Sequence, residues 1–391
     1  MIPVGEDRLG SRYRELGVDV NKPGIERFKG AIDNLHPGAF CVVYPDPDDK
    51  SKGLILHADS AGSKPIQAYL MYKETGDASW FKGLAQDALA MNINDVVCVG
   101  AEPISFVDYI AYNPLNIDRV AMLGALAEGF AESKEILSRE GSSIAFAGGE
   151  TADLPDLLRT LDVCVTIHGR VSLSKVVSGE AVKHGDVIIG LRSGGPVRFE
   201  KGPNSGIMSN GHTLARTSLL SSIYIEKYPE VSHSRRGRYT GHYKLDDKPE
   251  GLGASVGEAL LSPTRLFSPI ALAVLKKVDA GIHGMVHNTG GGQTKCLRVG
   301  SNIRYVKDNL PEPDPIFGLI KKEARVDWQE MYQDFNMGIG FEFIVDPESA
   351  EMVQSVAEGF GIGVHIIGRC EKGAGKNTLK IQSMHGDYQY T

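Results

Sequence analysis

Apolar and polar positions along the chain follow two alternating periods, one of strands and one of helices. GLILHAD (Gly53 to Asp59) is an apolar run ending on an acid, which predicts a buried strand that delivers a functional side chain at its tip. From about Ala78 to Val97, Phe81, Leu84, Ala85, Ala88 and Leu89 recur at helical spacing. ISFVDYIAY (Ile104 to Tyr112), entered through Pro103, has the β-branched and aromatic character of a strand. A long helix, RVAMLGALAEGFAESKEILSR, follows, with Asn116 or Asp118 placed to cap it and Gly141 to stop it. SSIAFAGG and LDVCVTIHGRV read as two more strands.

After Ser172 the rhythm restarts with a polar connector and a buried strand, GDVIIGL (Gly185 to Leu191). The boundary therefore falls there, giving domains over residues 1–172 and 173–391, as the length of 391 residues also suggests. The second half continues with a glycine-rich segment, a helix over His212 to Ile225 and a polar stretch from Tyr228 to Gly253. That stretch is expected to be a solvated surface insertion, although its basic start could touch substrate. A helix over Ser268 to Val278, a glycine-rich turn and an αβ finish complete an α/β (α+β) pattern.

Composition narrows the function. Apolar residues at 42% and charged residues at 23% let each half bury its own core. A net charge of −7 argues against a nucleic-acid partner but leaves anionic substrates open, because local cations and helix N-termini hold phosphates on acidic proteins. The five cysteines are scattered, with no metal-ligand spacing, as suits a reducing compartment. The start is charged within its first eight residues, and nowhere is there an apolar run of membrane-spanning length. The expectation is a cytoplasmic protein with no membrane partner.

Three acid-bearing clusters occupy the first half. Asp59-Ser60-Ala61-Gly62-Ser63-Lys64 closes the apolar strand. A carboxylate, small residues and a lysine suit nucleotide phosphates: the acid holds Mg²⁺, backbone N–H groups face oxygens and the ammonium offsets charge. A tight turn explains the same residues equally well. The second cluster is Asp87 with Asn94 and Asp95. Asp87 and Asn94, seven positions apart, share one helical stripe about 10 Å long. Apolar neighbours imply burial, and a buried carboxylate must be bonded, ion-paired or metal-bound. We read metal or substrate contact here, against capping of a neighbouring turn. The third cluster, Gly148-Gly149-Glu150-Thr151, is either a ligand-approaching glycine segment that offers Glu150 at a strand end or a plain turn with a surface acid.

The second half adds Asn204-Ser205-Gly206-Ile207-Met208-Ser209-Asn210-Gly211, which leads into a helix and makes a plausible anion site. It also adds His287-Asn288-Thr289-Gly290-Gly291-Gly292, where a phosphate or ribose contact would use the glycines. His283 and His287 are read as core or substrate contacts rather than helical metal ligands. The Walker-type phosphate loop, G-x-G-x-x-G, H-E-x-x-H and G-x-S-x-G are absent.

In order along the chain, YRELGVD (Tyr13 to Asp19), Asp59 to Lys64, NDVVCVGAEPISFVDY, GGETADLP, SNGHTLAR, LLSPTRLF, NTGGG and EMYQDFNMGIG resemble the aminoimidazole ribonucleotide synthetase family, of the PurM-like superfamily. The resemblance implies a homodimer whose N-terminal domains pair into a β-barrel, with a C-terminal α/β layer alongside and a cleft for ATP and a phosphoribosyl nucleotide precursor. It implies ATP-driven activation of a formyl amide oxygen and closure of an imidazole ring in purine synthesis. It further implies Mg²⁺ held by Asp59, Asp95 and Glu150, supported by Asp87 and Asn94, with Lys64 facing phosphate. Gly62, Ser63, Gly148, Gly149, Thr151, Ser205, Gly206, Ser209, Asn210, Gly211, His287, Thr289, Gly290 and Gly291 would then contact ATP or substrate.

The sequence departs from the family at several points. Leu35 to Phe40 stands in place of a glycine-rich loop, and D-S-A-G-S-K in place of D-G-V-G-T-K. Met208 replaces a histidine, Ser193 to Pro203 is lengthened, and Gln293 to Arg298 replaces E-N-[IL]-P-R. Another ATP-using enzyme of the superfamily, or an inactive nucleotide-binding paralogue, are the alternatives.

Overall fold

The computed structural model describes residues 11–19, 22–232, 238–278 and 280–391. Its strands form two sheets, one from each half of the chain. β1 (Tyr44–Pro45), β2 (Lys52–Ser60), β3 (Glu102–Tyr112), β4 (Ala145–Asp153) and β5 (Leu161–Ser172) form the first, in the order β1-β2-β5-β3-β4. Only β3 and β4 run parallel. β6 (Val187–Arg192), β7 (Ile282–His287), β8 (Ile303–Lys307), β9 (Ile339–Val345), β10 (Val364–Lys372), β11 (Thr378–Ser383) and β12 (Gly386–Tyr390) form the second, in the order β12-β11-β8-β10-β6-β9-β7. Neither order closes into a ring, so the barrel implied by the resemblance is not formed by one chain.

The helices of the first half are α1 (Arg12–Glu15), α2 (Pro65–Thr75), α3 (Lys82–Val97) and α4 (Arg119–Arg139). The second half carries α5 (His212–Leu219), α6 (Ile223–Lys227), α7 (Val256–Leu261), α8 (Ser268–Lys277), α9 (Pro315–Ala324), α10 (Trp328–Asp334) and α11 (Ala350–Glu358). α4 starts where Asp118 caps it, its carboxylate accepting from the Ala121 amide at 3.0 Å. The helix expected over Ala78 to Val97 is a 3₁₀ turn (Ala78–Phe81) running into α3. The helix expected over His212 to Ile225 is broken between α5 and α6, where Leu220 and Ser221 bridge to Tyr243 and Gly241.

That bridge corrects part of the reading of Tyr228 to Gly253 as solvated: most of its described residues are exposed or half-buried, as expected, but the stretch is tied to the end of α5. Tyr239 and Leu245 are buried, and a Cβ on Gly241 would meet the Leu219 carbonyl at 2.1 Å. Residues 233–237, with most of the basic start, lie outside the described residues. The cluster around Gly148 is corrected too, for Gly148 to Asp153 continue β4 as an edge strand rather than forming a turn. Gly149 makes room for a side chain, not a ligand: a Cβ there would overlap Asp108 Oδ1 at 1.7 Å.

α3 organises the interior. Thirteen of its sixteen residues are buried, so every polar group it carries needs a partner inside the protein. It packs on β2 and β5 of the first sheet, on α4, and on α8 and β7 of the second half. Asp87 is fully buried there. Its Oδ1 accepts from Lys64 Nζ at 2.8 Å, Ser209 Oγ at 3.0 Å, the Thr264 amide at 2.6 Å and Thr264 Oγ1 at 2.7 Å. Asn94 repeats the link, accepting from the Phe267 and Ser268 amides and donating to the Arg265 carbonyl.

Asp87→Ala leaves the Lys64 ammonium buried without its counter-charge, and is expected to destabilise the protein by about 3–5 kcal/mol in urea unfolding. A loss below about 1 kcal/mol would contradict the junction described here.

Candidate functional site

The tip of β2, the last turns of α3 and the end of β7 converge at the seam between the two halves. Asp95, one residue beyond Asn94 on α3, turns its Oδ1 to His287 Nδ1 at 2.7 Å and its Oδ2 towards His57 Nε2 at 3.5 Å. The partners set the His287 tautomer: Nδ1–H donates to the carboxylate, and Nε2 accepts from the Asn94 amide at 3.3 Å. His57 is itself fixed by Asn92, which also holds the Asp59 carbonyl at 3.1 Å.

Asp59 lies close enough to Asp95 for the two charges to interact. Burial pushes the Asp59 carboxyl up, against the pull of the Ser60 amide, and the Asp95 charge adds to the rise. Burial also works against ionised Asp95, but His287, His57 and Lys295 outweigh it and hold its carboxyl below the usual range. Lys295 is buried, donates to Thr289 Oγ1 at 2.8 Å and lies 5.5 Å from the centre of the Phe40 ring. Burial lowers its pKa, while Asp95 and Asp59 work in the other direction. The seam thus holds two coupled carboxylates faced by an ammonium and two imidazoles.

The expected site residues divide. The Asp59-to-Lys64, Ser205-to-Gly211 and His287-to-Gly291 segments do meet. A Cβ on Gly62 would lie 3.2 Å from the Ser209 carbonyl, Ser63 Oγ is 3.0 Å from Thr213 Oγ1, and a Cβ on Gly290 would lie 3.4 Å from Asn210 Oδ1. Asn210 Nδ2 is buried with no hydrogen-bond partner among the described residues. Gly211 is required by packing: with φ at +72°, a Cβ would overlap the Phe335 ring at 2.0 Å.

Lys64 departs from expectation. Its ammonium is fully buried and is spent on Asp87, the Met208 carbonyl at 3.2 Å and the Ser262 carbonyl at 2.5 Å, so it faces no open phosphate site. Asp87, Asn94, Ser205 and Ser209 are likewise engaged by internal partners, with Ser205 Oγ donating to the Ala259 carbonyl at 2.7 Å. Met208 contributes its backbone: at φ +61° its carbonyl turns inward to accept from Lys64 and His212, while its side chain joins the core.

Glu150 does not join Asp59 and Asp95. It is exposed on β4, accepts from the Thr151 amide at 2.9 Å and pairs in register with Tyr109, whose ring is exposed. Asp59 pairs with buried Val165 on the helix-covered face, so the sheet itself separates the two acids. Among the described residues, no group of three or more His, Cys, Asp or Glu is arranged to hold a metal. Mg²⁺ on a nucleotide takes one or two protein carboxylates, the remainder being phosphate and water oxygens, so the crowded pair Asp59 and Asp95 still fits one.

His57 and Lys295 were missed in the sequence. A histidine two residues before Asp59 on the same strand face was the available signal for the first, and the altered segment after the triple glycine for the second.

Residues 38–171 match the family model for "AIR synthase related protein, N-terminal domain", and residues 183–379 that for "AIR synthase related protein, C-terminal domain". The protein belongs to this AIR synthase related family. Its relatives include the phosphoribosylformylglycinamidine cyclo-ligase of Methanocaldococcus jannaschii, 35% identical over 389 residues that cover 95% of this chain and 98% of that one. The cyclo-ligase of Methanobrevibacter smithii is 34% identical over 364 residues, 91% of this chain and 94% of that one. Among solved structures, AaThiL complexed with AMPPCP and TMP shares the fold, with a TM-score of 0.55 over 94% of this chain and 96% of that one at 13% identity.

Asp334, on α10, supplies a test of the packing beside this seam. It is buried close to Tyr13, its Oδ2 has no hydrogen-bond partner, and burial together with the Glu330 charge pushes its pKa up to about 8. A raised native pKa stabilises the fold below the unfolded value near ~4 and loses that contribution as pH rises through about 8. Asp334→Asn should therefore match the parent protein at low pH and gain on it steadily up to pH 8 in thermal unfolding. Parallel pH profiles would contradict the burial of an uncompensated acid.

Proposed function

We propose that the protein is an ATP-dependent phosphoribosylformylglycinamidine cyclo-ligase, closing formylglycinamidine ribonucleotide to aminoimidazole ribonucleotide with release of ADP and phosphate. The observation that carries this reading is the coupled Asp59 and Asp95 pair, faced by Lys295, at the meeting point of segments from both halves. The names of the relatives and the ATP analogue in the AaThiL structure support it.

Phosphoryl transfer asks a protein chiefly for positioning and neutralisation of charge. Mg²⁺, when bound, would neutralise the triphosphate and be held by Asp59 and Asp95. Lys295 takes the part expected of Lys64, offering an ammonium to phosphate oxygens. The formyl amide oxygen attacks the γ-phosphorus and ADP leaves. The amidine nitrogen then attacks the activated carbon, phosphate departs with the formyl oxygen, and loss of a proton from nitrogen with transfer of another from the ring CH₂ to the exocyclic nitrogen leaves the aromatic ring. Asn210, with its free amide beside Gly290, is placed to orient the polar end of the substrate.

The outer face of the first sheet supports a homodimer. Leu56 is 60% exposed, Val107 39% and Tyr109 41%, all on the face away from α3, the last two on β3 beside the open edge strand β4. A second copy laid on this face would complete a ring of strands and cover Glu150, which shares the face. The five cysteines are free, as suits a cytoplasmic enzyme.

Two measurements test this reading. Phosphate release from ATP should depend on formylglycinamidine ribonucleotide, with aminoimidazole ribonucleotide formed in equal amount; ATP hydrolysis indifferent to that substrate would refute the assignment. Asp95→Ala and Lys295→Ala should each lower kcat about 100-fold or more, on the scale of one lost electrostatic contact, with the thermal midpoint retained for Lys295→Ala. Near-normal turnover in either would remove that residue from the site.

A further inference from the structure

A cavity of about 650 Å³ lies where the N-terminal arm, the β4–β5 loop, α5 and the described part of the 228–253 insertion meet. None of the expected site residues lines it. Its walls carry Leu16, Ile66, Leu158 and Val231, and into it face Arg216 and Tyr239, each 4% exposed.

The two polar groups are incompletely satisfied. Arg216 Nη1 donates to the Ser63 carbonyl at 3.1 Å and to Gln67 Oε1 at 3.2 Å, while its Nε has no acceptor among the described residues. The Tyr239 hydroxyl lies within reach of this guanidinium and finds no acceptor for its own proton among the described residues. Of the other charged groups of the wall, Arg159 donates to the Ser232 carbonyl and Glu230 accepts from the Tyr69 hydroxyl. A buried donor left unpaired is costly, so the Arg216 Nε–H and the Tyr239 O–H, neighbours without an acceptor among the described residues, define a position for an acceptor atom. A guanidinium and a phenol together favour an anionic oxygen, and Arg matches phosphate best. The volume exceeds what one ion needs, and the apolar wall suits a small organic body.

We propose that this cavity is a binding site for a small phosphate ester, held by Arg216 Nε and the Tyr239 hydroxyl. The ester is either the 5′-phosphate end of the substrate, which rests on the reading above, or a separate metabolite that reports to the seam through Arg216 and Ser63. Tyr239→Phe removes only the hydroxyl and leaves the bonds of Arg216 to Ser63 and Gln67 in place.

Calorimetric titration of the full protein with ribose 5-phosphate and with inorganic phosphate needs no turnover, so its outcome stands apart from that of the cyclo-ligase assignment. Ribose 5-phosphate should bind the parent protein, and Tyr239→Phe should weaken it about 10-fold, the worth of one hydrogen bond to a charged group, with thermal midpoint unchanged. If the substrate is the source, the same variant raises KM for formylglycinamidine ribonucleotide to a similar degree and spares kcat. If a separate ester is the source, KM is unmoved and added ribose 5-phosphate alters the parent's rate but not the variant's. No binding to the parent at millimolar concentration, or equal binding by the variant, would overturn the proposal.

Discussion

A carboxylate cannot stay ionised in a packed interior unless several donors replace the water it has lost, and the architecture of this protein turns on how α3 meets that demand at Asp87. Four hydrogen bonds converge on one of its oxygens, from Lys64 in the first half and from Ser209 and Thr264 in the second. Because the donors come from both halves, satisfying the charge also fixes how the halves sit together. Asn94, two helical turns on, repeats the arrangement with the backbone at the start of α8.

That rigid seam is what makes the next residue useful. Asp95 is held in place by His287 and His57 but is not exhausted by them, and it is brought against Asp59 at the tip of β2. Two carboxylates kept close by a scaffold that does not depend on them are suited to a cation that arrives with its ligand. One helix thus carries an ion pair that builds the interface, then an acid that the interface presents.

Much of this was readable from residue order. The apolar run before Asp59 implied a strand offering an acid, and the apolar surroundings of Asp87, Asn94 and Asp95 implied buried polar groups that needed partners. What one-dimensional pattern could not carry was which partner each group would find. Lys64 beside a glycine turn looks like a phosphate ligand, and only its position against Asp87 of α3 and the Met208 and Ser262 carbonyls shows that its ammonium is consumed internally. Glu150 looks equivalent to Asp59 as an acid near a strand end, but strand register places it on the opposite face. Tyr239 lies in a stretch whose polarity suggested solvent, and it is buried because Gly241 lets the chain pass directly over α5. Lys295 was visible only as a departure from a motif.

The division of labour between Lys64 and Lys295 can be checked by a crystal structure of the protein with Mg²⁺ and AMPPCP. Lys64 should remain on Asp87, with the metal on Asp59 and Asp95 and the phosphate oxygens facing Lys295. Density showing Lys64 released from Asp87 and bonded to the γ-phosphate, with Lys295 away from the nucleotide, would contradict the account.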